Sequence, residues 1–300
     1  MVHITLVGGP TAVVEIGGLR LVTDPTFDAP GSYPRPGTPP LVKLTPPALG
    51  PDDLGRADAV LLSHDQHSDN LDRSGRAYLE RVPLTLTTVS GAARLAAGGL
   101  VTRGLAPWEV ADLTRPDGQA GGQALRVTAV PARHGPEGCE PISGEVTGFV
   151  LTAADLPTVY VSGDNAWLGA VSQVADRFGP VDIAILFAGA ARIPERFDRA
   201  LLTLDSALSA AAAGILRAAA VVPVHYTGWS HFTEGGADLR GAFERAGMAA
   251  RLVLLAPGES ADLSPAAAAL PGRGEPARDV ADDRRVHVLR GLVLGGRGGA

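Results

Sequence analysis

Residues 59–70 read AVLLSHDQHSDN, and the interpretation of the whole chain depends on this stretch. Its apolar start, residues 59–62, predicts a short buried strand. The strand leads directly into His64, His67 and Asp69, whose side chains are of the types that bind divalent metal ions. A strand that ends in metal ligands indicates an α/β fold with its functional site at the ends of the strands.

Three further apolar runs predict strands that end in the same kind of residue. The residues that follow these strands are His134, Asp164 and His225. Strand ends at one edge of a sheet converge, so we expect all of these ligands to surround one site. Imidazole and carboxylate groups suit Zn²⁺, with Mn²⁺ and Fe²⁺ as alternatives. Asp164 is our candidate for a carboxylate that bridges two ions about 3.5–4 Å apart.

The remaining pattern predicts strands before this stretch and alternating strands and helices after it. Short strands are expected at 4–7, 12–16 and 19–22, followed by a long Pro- and Gly-rich loop over 28–47. Later predictions include a helix at 203–219 and a last strand at 252–255. Two halves of similar kind favour a four-layer αββα sandwich, with two sheets inside and helices outside.

Composition and length favour one large globular domain. Of the 300 residues, 45% are hydrophobic and 19% are charged, which is enough apolar material for a sizeable core. We place this domain at residues 1–264. Residues 265–300 are rich in Ala, Gly, Pro and Arg and predict an extension that is poorly packed or contributes one docking strand, from within 286–294.

Charge and cysteine content exclude several classes of protein. The formal charge of −6 argues against a dedicated nucleic-acid-binding protein. No apolar run reaches about 18 residues, so we expect no membrane span. The N-terminus lacks the pattern of a signal peptide, and Cys139 is the single cysteine, so an internal disulfide is excluded. These features predict a cytoplasmic protein.

Taken together, the motifs resemble the metallo-β-lactamase fold hydrolases over residues 3–260. They look similar to the branch that contains L-ascorbate-6-phosphate lactonase and N-acylphosphatidylethanolamine phospholipase D. The likeness rests on the opening strands with the Thr-Asp-Pro turn at 23–25 and on the motifs around the ligands named above. The resemblance implies a first ion on His64, His67 and His134. It implies a second ion on Asp69, Asp164 and His225, with help from residue 70.

The chain departs from the family pattern at three places. The family motif reads His-x-His-x-Asp-His, whereas here one extra residue separates His64 from His67. Either the loop bulges so that both histidines reach the ion, which we favour, or Asp65 is a ligand and His64 is displaced. Asn70 stands where a histidine is usual, which predicts a weaker second site or a single-metal enzyme. The third departure is Gly9-Pro10-Thr11, where the branch usually carries a histidine after the first glycine.

We therefore expect a metal-dependent hydrolase of a small-molecule substrate. A metal-bound hydroxide would attack a carbonyl or phosphoryl centre in a lactone, phosphodiester, amide or thioester, because a bound ion lowers the pKa of water to roughly 7. Asp69 would orient or deprotonate the water, and His231 is a candidate proton donor, although a surface histidine is an equal reading. The alternatives are a catalytically weak protein that binds a ligand or a partner, and di-iron redox chemistry. The sequence does not decide whether the protein forms a homo-oligomer.

Overall fold

The secondary structure comes from a computed structural model that describes residues 1–35, 38–116, 124–193, 195 and 197–264. Within these ranges the strands are β1 Val2–Gly8, β2 Thr11–Ile16, β3 Leu19–Thr23, β4 Gly31–Arg35, β5 Thr38–Lys43, β6 Ala59–Leu61, β7 Thr85–Thr87, β8 Thr102–Gly104, β9 Val110–Leu113, β10 Leu125–Pro131, β11 Thr147–Thr152, β12 Val159–Val161, β13 Ile183–Phe187, β14 Ala220–Val224 and β15 Ser260–Leu263. The α-helices are α1 Arg73–Leu79, α2 Val89–Ala96, α3 Glu140–Ser143, α4 Leu168–Phe178, α5 Ser206–Leu216 and α6 Gly236–Arg245, with short 3-10 helices at Phe197–Arg199 and Ala249–Arg251.

The described strands form two large sheets and one separate hairpin. The first sheet has the order β15-β1-β2-β3-β6-β7-β8, and the second has the order β14-β13-β12-β11-β10-β9. In the second sheet, β12, β13 and β14 are parallel. Strand β10 points the same way as β12, because both are antiparallel to β11. The carboxyl ends of β10, β12 and β14 therefore meet at one edge of this sheet.

The main hydrophobic core lies between the two sheets. Side chains alternate along each strand, so Ala59 and Leu61 of β6 face this core, while Val60 and Leu62 belong to a second cluster on the outer face. This outer cluster includes residues of α1 and α2. The outer face of the second sheet packs against α4, α5 and α6. The layers run helix, sheet, sheet, helix, which confirms the predicted αββα sandwich.

Two predicted elements are wrong. The loop predicted over 28–47 contains the hairpin formed by β4 and β5. This hairpin pairs with neither large sheet, so its prolines interrupt no ladder of those sheets, and the ladder within the hairpin shifts register at Pro34, between Tyr33 and Arg35. The last strand predicted at 252–255 is absent, since Leu252 forms only an isolated bridge with Val221. A different segment, β15, forms the last described strand and pairs with β1 at the edge of the first sheet.

The predicted C-terminal extension, residues 265–300, lies outside the described residues. The domain boundary at residue 264 therefore stays a prediction. Among the described ranges, no helix combines the length and the apolar character that a membrane crossing needs.

The first turn of α1 packs closely against the backbone at Pro25, just after β3. A Cβ atom added at Gly75 would overlap the carbonyl oxygen of Pro25. We expect Gly75→Ala to lower the free energy of unfolding by about 3 kcal/mol or more, since backbone at this place has no room to move aside. Gly214→Ala in α5 is the matched control, because a Cβ there meets nothing within 4 Å. It should raise the free energy of unfolding by about 0.5–1 kcal/mol. Urea unfolding measures both, and equal stability of the two variants would contradict this packing.

Candidate metal centre

Six side chains of metal-ligand type lie in two adjacent clusters at the strand ends. In the first cluster, one ligand atom from each residue lies within 4.8 Å of the others, and the same holds in the second. The first cluster is His64, His67 and His134, and the second is Asp69, Asp164 and His225. His67 is half-buried and the other five are buried. The structure thus brings together all six of the histidine and aspartate ligands that the sequence analysis grouped.

The extra residue in the first motif leaves both histidines in the first cluster. Asp65 turns toward α2, where its carboxylate accepts hydrogen bonds from Arg94 Nη2 at 2.6 Å and Nε at 3.0 Å. That side chain is fully engaged by the guanidinium group. His64 stays in the first cluster with its ring fully buried. His64 is therefore not displaced from the cluster and Asp65 lies outside it, while the bulged loop stays a prediction.

The three imidazoles of the first cluster converge on one point. The Nε2 atom of His64 lies 2.9 Å from Nδ1 of His67, and the ring of His134 is 5.3 Å and 5.1 Å from the other two rings. The Nδ1 atom of His134 donates to the carbonyl oxygen of Leu202 at 2.7 Å, which leaves its Nε2 lone pair available. Burial and the neighbouring imidazole of His134 lower the pKa of His67 to about 4. Neutral imidazoles are the form that binds a metal ion.

Asp164 belongs to the second cluster, and one of its carboxylate oxygens faces the first cluster. Its Oδ1 is 2.9 Å from Nδ1 of His225 in the second cluster, and its Oδ2 is 3.5 Å from Nε2 of His134 in the first. On the other side of His225, Nε2 is 3.5 Å from Oδ2 of Asp69. A carboxylate in this position could contact ions in both clusters, as a bridging ligand does.

Several of these buried ligand atoms have no hydrogen-bond partner among the described residues. They are both carboxylate oxygens of Asp164, Oδ1 of Asp69 and both ring nitrogens of His225. Although the atoms lie close to one another, their contacts lack hydrogen-bond geometry. Unsatisfied buried polar atoms cost roughly 1–3 kcal/mol each and are rare in folded proteins. Lone pairs of N and O atoms that converge without partners fit a divalent cation, so the residues present suit the implied metal.

The electrostatics of the second cluster also favour a positive charge. Burial alone would raise the pKa of Asp69, but the adjacent His225 and His231 outweigh it and hold this pKa well below its usual range. For His225, burial lowers the pKa, yet the charges of Asp164 and Asp69 prevail and raise it to about 10. In the metal-free protein the protonated ring of His225 balances these ionised carboxylates, and a divalent ion bound here would replace that proton.

The amide nitrogen of Asn70 forms a hydrogen bond outside the cluster, to Asp24. Its Nδ2 donates to Oδ2 of Asp24 at 2.9 Å, while its Oδ1 is buried and has no hydrogen-bond partner among the described residues. Asp24 also accepts from the backbone and the hydroxyl of Ser63, both at 2.6 Å. Burial raises the pKa of Asp24 to about 7, although these hydrogen bonds act in the opposite direction. The oxygen of Asn70 stays free, and its role as a ligand remains a prediction.

His231 reaches the second cluster at its rim. Its Nε2 is 3.0 Å from Oδ2 of Asp69, and the side chain is 10% exposed. The ring lies against Phe232, with the ring centroids 4.5 Å apart. Of the two readings of this histidine from the sequence, the structure supports the one in which it faces the site.

Trp229 lies beside Gly9, in the segment where the family usually carries a histidine. Gly9 adopts the left-handed φ of +56°, and a Cβ there would lie 3.4 Å from Nε1 of Trp229. Trp229 is buried. Cys139 is buried as well, and burial raises the pKa of its thiol, which makes it unreactive.

Sequence reasoning missed the functional relevance of three groups around the clusters. These are Asp24, the hydroxyl of Ser63 and the carbonyl oxygen of Leu202. The Thr-Asp-Pro turn was the one available signal for Asp24, but as a sequence it predicts only the end of a strand.

Comparison with known proteins gives one family and a consistent set of relatives. The family described as "Beta-lactamase superfamily domain" matches residues 19–226. A "UPF0173 metal-dependent hydrolase" of Pelotomaculum thermopropionicum is 28% identical over 213 residues, which cover 69% of this chain and 83% of the relative. One from Pyrococcus furiosus is 25% identical over 264 residues, covering 88% and 100% of the two chains.

Two solved structures share the fold along most of their length. The isothiocyanate hydrolase from Delia radicum gut bacteria has a TM-score of 0.73 at 22% identity, covering 87% of this chain and 99% of its own. A protein of Veillonella parvula described as "a possible metal-dependent hydrolase" also has a TM-score of 0.73, at 20% identity, with 88% and 100% covered. At this level of identity the likeness establishes the fold.

Proposed function

This chain belongs to the beta-lactamase superfamily, and we propose that it is a metal-dependent hydrolase whose ions are held by the two adjacent clusters. The observation that carries the proposal is the carboxylate of Asp164, which lies within ion-pair distance of one histidine of each cluster while neither of its oxygens makes a hydrogen bond of good geometry to any described residue. Relatives from two distant organisms bear the name metal-dependent hydrolase, which supports the same conclusion.

The first cluster is our candidate for the tighter site. It offers three imidazoles, those of His64, His67 and His134, and Zn²⁺ is commonly bound by this set. The second cluster offers Asp69, Asp164 and His225, to which Asn70 would add a neutral oxygen. An amide oxygen is a weaker ligand than an imidazole, so we expect the second ion to dissociate more readily. Mn²⁺ and Fe²⁺ are the alternative metals.

The chain's own residues would handle the proton that hydrolysis releases. A bound ion would make a water molecule acidic near neutral pH and polarise the substrate oxygen. Asp69 is positioned to accept the water proton, because its carboxylate is ionised and belongs to the second cluster, 3.5 Å from Nε2 of His225. His231, 3.0 Å from Asp69, is positioned to receive that proton and deliver it to the leaving group.

We propose a small molecule with an electrophilic carbonyl or phosphoryl centre as the substrate. Lactones, phosphodiesters, amides and thioesters all meet this description. Membership of the branch that contains L-ascorbate-6-phosphate lactonase and N-acylphosphatidylethanolamine phospholipase D would favour lactones or phosphodiesters. The solved relative that is an isothiocyanate hydrolase adds isothiocyanates to the set.

A substrate panel with metal removal tests this function. The purified full-length protein should hydrolyse at least one of these classes, lose that activity after dialysis against a chelator, and regain it with Zn²⁺, Mn²⁺ or Fe²⁺. The His3→Ala variant is a matched control, since His3 pairs with Asp262 in β15 and lies outside both clusters. Hydrolysis that is indifferent to the chelator, or inactivity across the panel at full metal loading, would overturn the proposal.

A further inference from the structure

Asp24 is a buried carboxylate that belongs to neither ligand cluster. It is linked to each of them by hydrogen bonds to residues that adjoin a ligand. Its Oδ1 accepts from the backbone N–H of Ser63 at 2.6 Å, and its Oδ2 accepts from the Ser63 hydroxyl at 2.6 Å. The same Oδ2 accepts from Nδ2 of Asn70, the residue next to Asp69. Asp24 and Ser63 are almost completely buried, and His64 and Asn70 are completely so.

The hydroxyl of Ser63 has a single proton, and this fixes the state of the next residue. Because Ser63 donates that proton to the carboxylate of Asp24, its oxygen is left as an acceptor. The Nδ1 atom of His64 lies 2.9 Å from the same oxygen, so it must carry a proton and donate it. A neutral imidazole protonated at Nδ1 has its lone pair on Nε2. In His64 that lone pair faces Nδ1 of His67, inside the first cluster.

From this chain of hydrogen bonds we infer that Asp24 is a positioning residue, which acts through Ser63 to hold His64 in the form that presents Nε2 to a metal ion. The inference rests on the proposed function and deepens it. Through Asn70, the same carboxylate also anchors the loop that carries Asp69. One buried group would thereby orient a ligand of the first cluster and support a ligand of the second.

A merely structural role explains the carboxylate less well. Burying a negative charge without a cation beside it costs free energy, and a neutral side chain could close the turn at residue 24 at lower cost. A carboxylate is needed if the hydroxyl of Ser63 must be kept as an acceptor for His64. Hydrogen bonds of this kind to a metal-binding histidine typically change metal affinity 10–100-fold.

The first test removes the linking hydroxyl. Ser63→Ala should weaken binding of Zn²⁺ to the first cluster by about 10–100-fold, measured in the full-length protein by competition with a chromophoric chelator. Ser209→Ala is the matched control, because Ser209 is equally buried in α5 and its hydroxyl has no partner among the described residues. It should leave Zn²⁺ affinity unchanged.

The second test reverses the direction of the hydrogen bonds. In Asp24→Asn, the amide oxygen can still accept the hydrogen bond from the backbone N–H of Ser63. In that orientation the NH₂ group lies beside the Ser63 hydroxyl and Asn70. Ser63 would then accept from residue 24 and donate to His64, which moves the imidazole proton to Nε2. In Asp24→Asn alone, the NH₂ group of residue 24 would face the NH₂ group of Asn70, and two donors repel each other. The double variant Asp24→Asn/Asn70→Asp gives that NH₂ group an acceptor. It should therefore recover thermal stability, while the imidazole proton of His64 stays on Nε2.

Nitrogen-15 NMR of the metal-free protein reads the protonated nitrogen of His64 directly, with His64→Gln identifying the signal. We expect Nδ1–H in the wild type and Nε2–H in the double variant, at wild-type thermal stability. Unchanged Zn²⁺ affinity in Ser63→Ala, or an Nδ1–H signal in the double variant, would overturn the inference while leaving the proposed function intact. Failure of the wild type itself to bind Zn²⁺ would instead overturn the proposed function.

Discussion

Replacing Asp164 by alanine is expected to lower turnover by about 10³-fold or more and to reduce the amount of bound metal. A single preorganised charge-stabilising group contributes roughly 10²–10³-fold in rate. Asp164 should exceed that contribution, because its two oxygens contact His225 on one side and His134 on the other. If Asp164 bridges two ions as proposed, its loss would remove a ligand from both of them at once.

The control for this variant is Asp155→Ala. Asp155 is an exposed aspartate that pairs with Arg115, so its removal should alter neither turnover nor metal content. Elemental analysis and steady-state kinetics on both variants, with urea unfolding to verify the fold, make the comparison. Wild-type metal content together with wild-type turnover in Asp164→Ala would contradict the bridging role.

Asp69→Asn should lower kcat by about 10²–10⁴-fold, the range that a positioned proton-transfer group contributes. The amide keeps the size of the side chain and an oxygen that can face an ion, but it cannot accept the water proton. We expect the metal content of the first cluster, which Asp69 does not join, to be retained. Equal kcat in this variant and the wild type would exclude Asp69 as the proton acceptor.

His231→Gln separates the two steps of proton handling. If His231 delivers the proton to the leaving group, its loss should slow substrates with poor leaving groups much more than substrates that release a nitrophenolate, which needs no proton. Asp69→Asn should slow both kinds of substrate, since the water proton must be removed in either case. A uniform loss in His231→Gln would assign this residue to holding Asp69, which it contacts at 3.0 Å.

The ligand clusters could be predicted from the sequence because each ligand follows a short apolar run. Strand ends in an α/β fold are fixed by local apolar pattern, and their convergence follows from the general geometry of such sheets. His134 and His225 are separated by 91 positions in the chain, yet both were placed at the same edge on this basis alone. The αββα order of layers followed from the same alternation of strands and helices.

What the sequence did not reveal depends on contacts between distant segments. Four prolines between residues 34 and 40 hide the hairpin of β4 and β5, which forms only because its strands pair with each other. The apolar run at 252–255 resembles a strand more than β15 does, but β15 is the one that pairs with β1. Asp24 reads as a turn residue, and its role appears only when Ser63, 39 residues later, lies beside it.

The metal content of the purified full-length protein tests the central claim most directly. Elemental analysis, after incubation with Zn²⁺ and removal of unbound metal, should find one or two ions per chain in the wild type and a marked loss in His134→Ala. His3→Ala, outside both clusters, should match the wild type. Absence of bound metal from the wild type, or the same metal content in His134→Ala, would contradict the account.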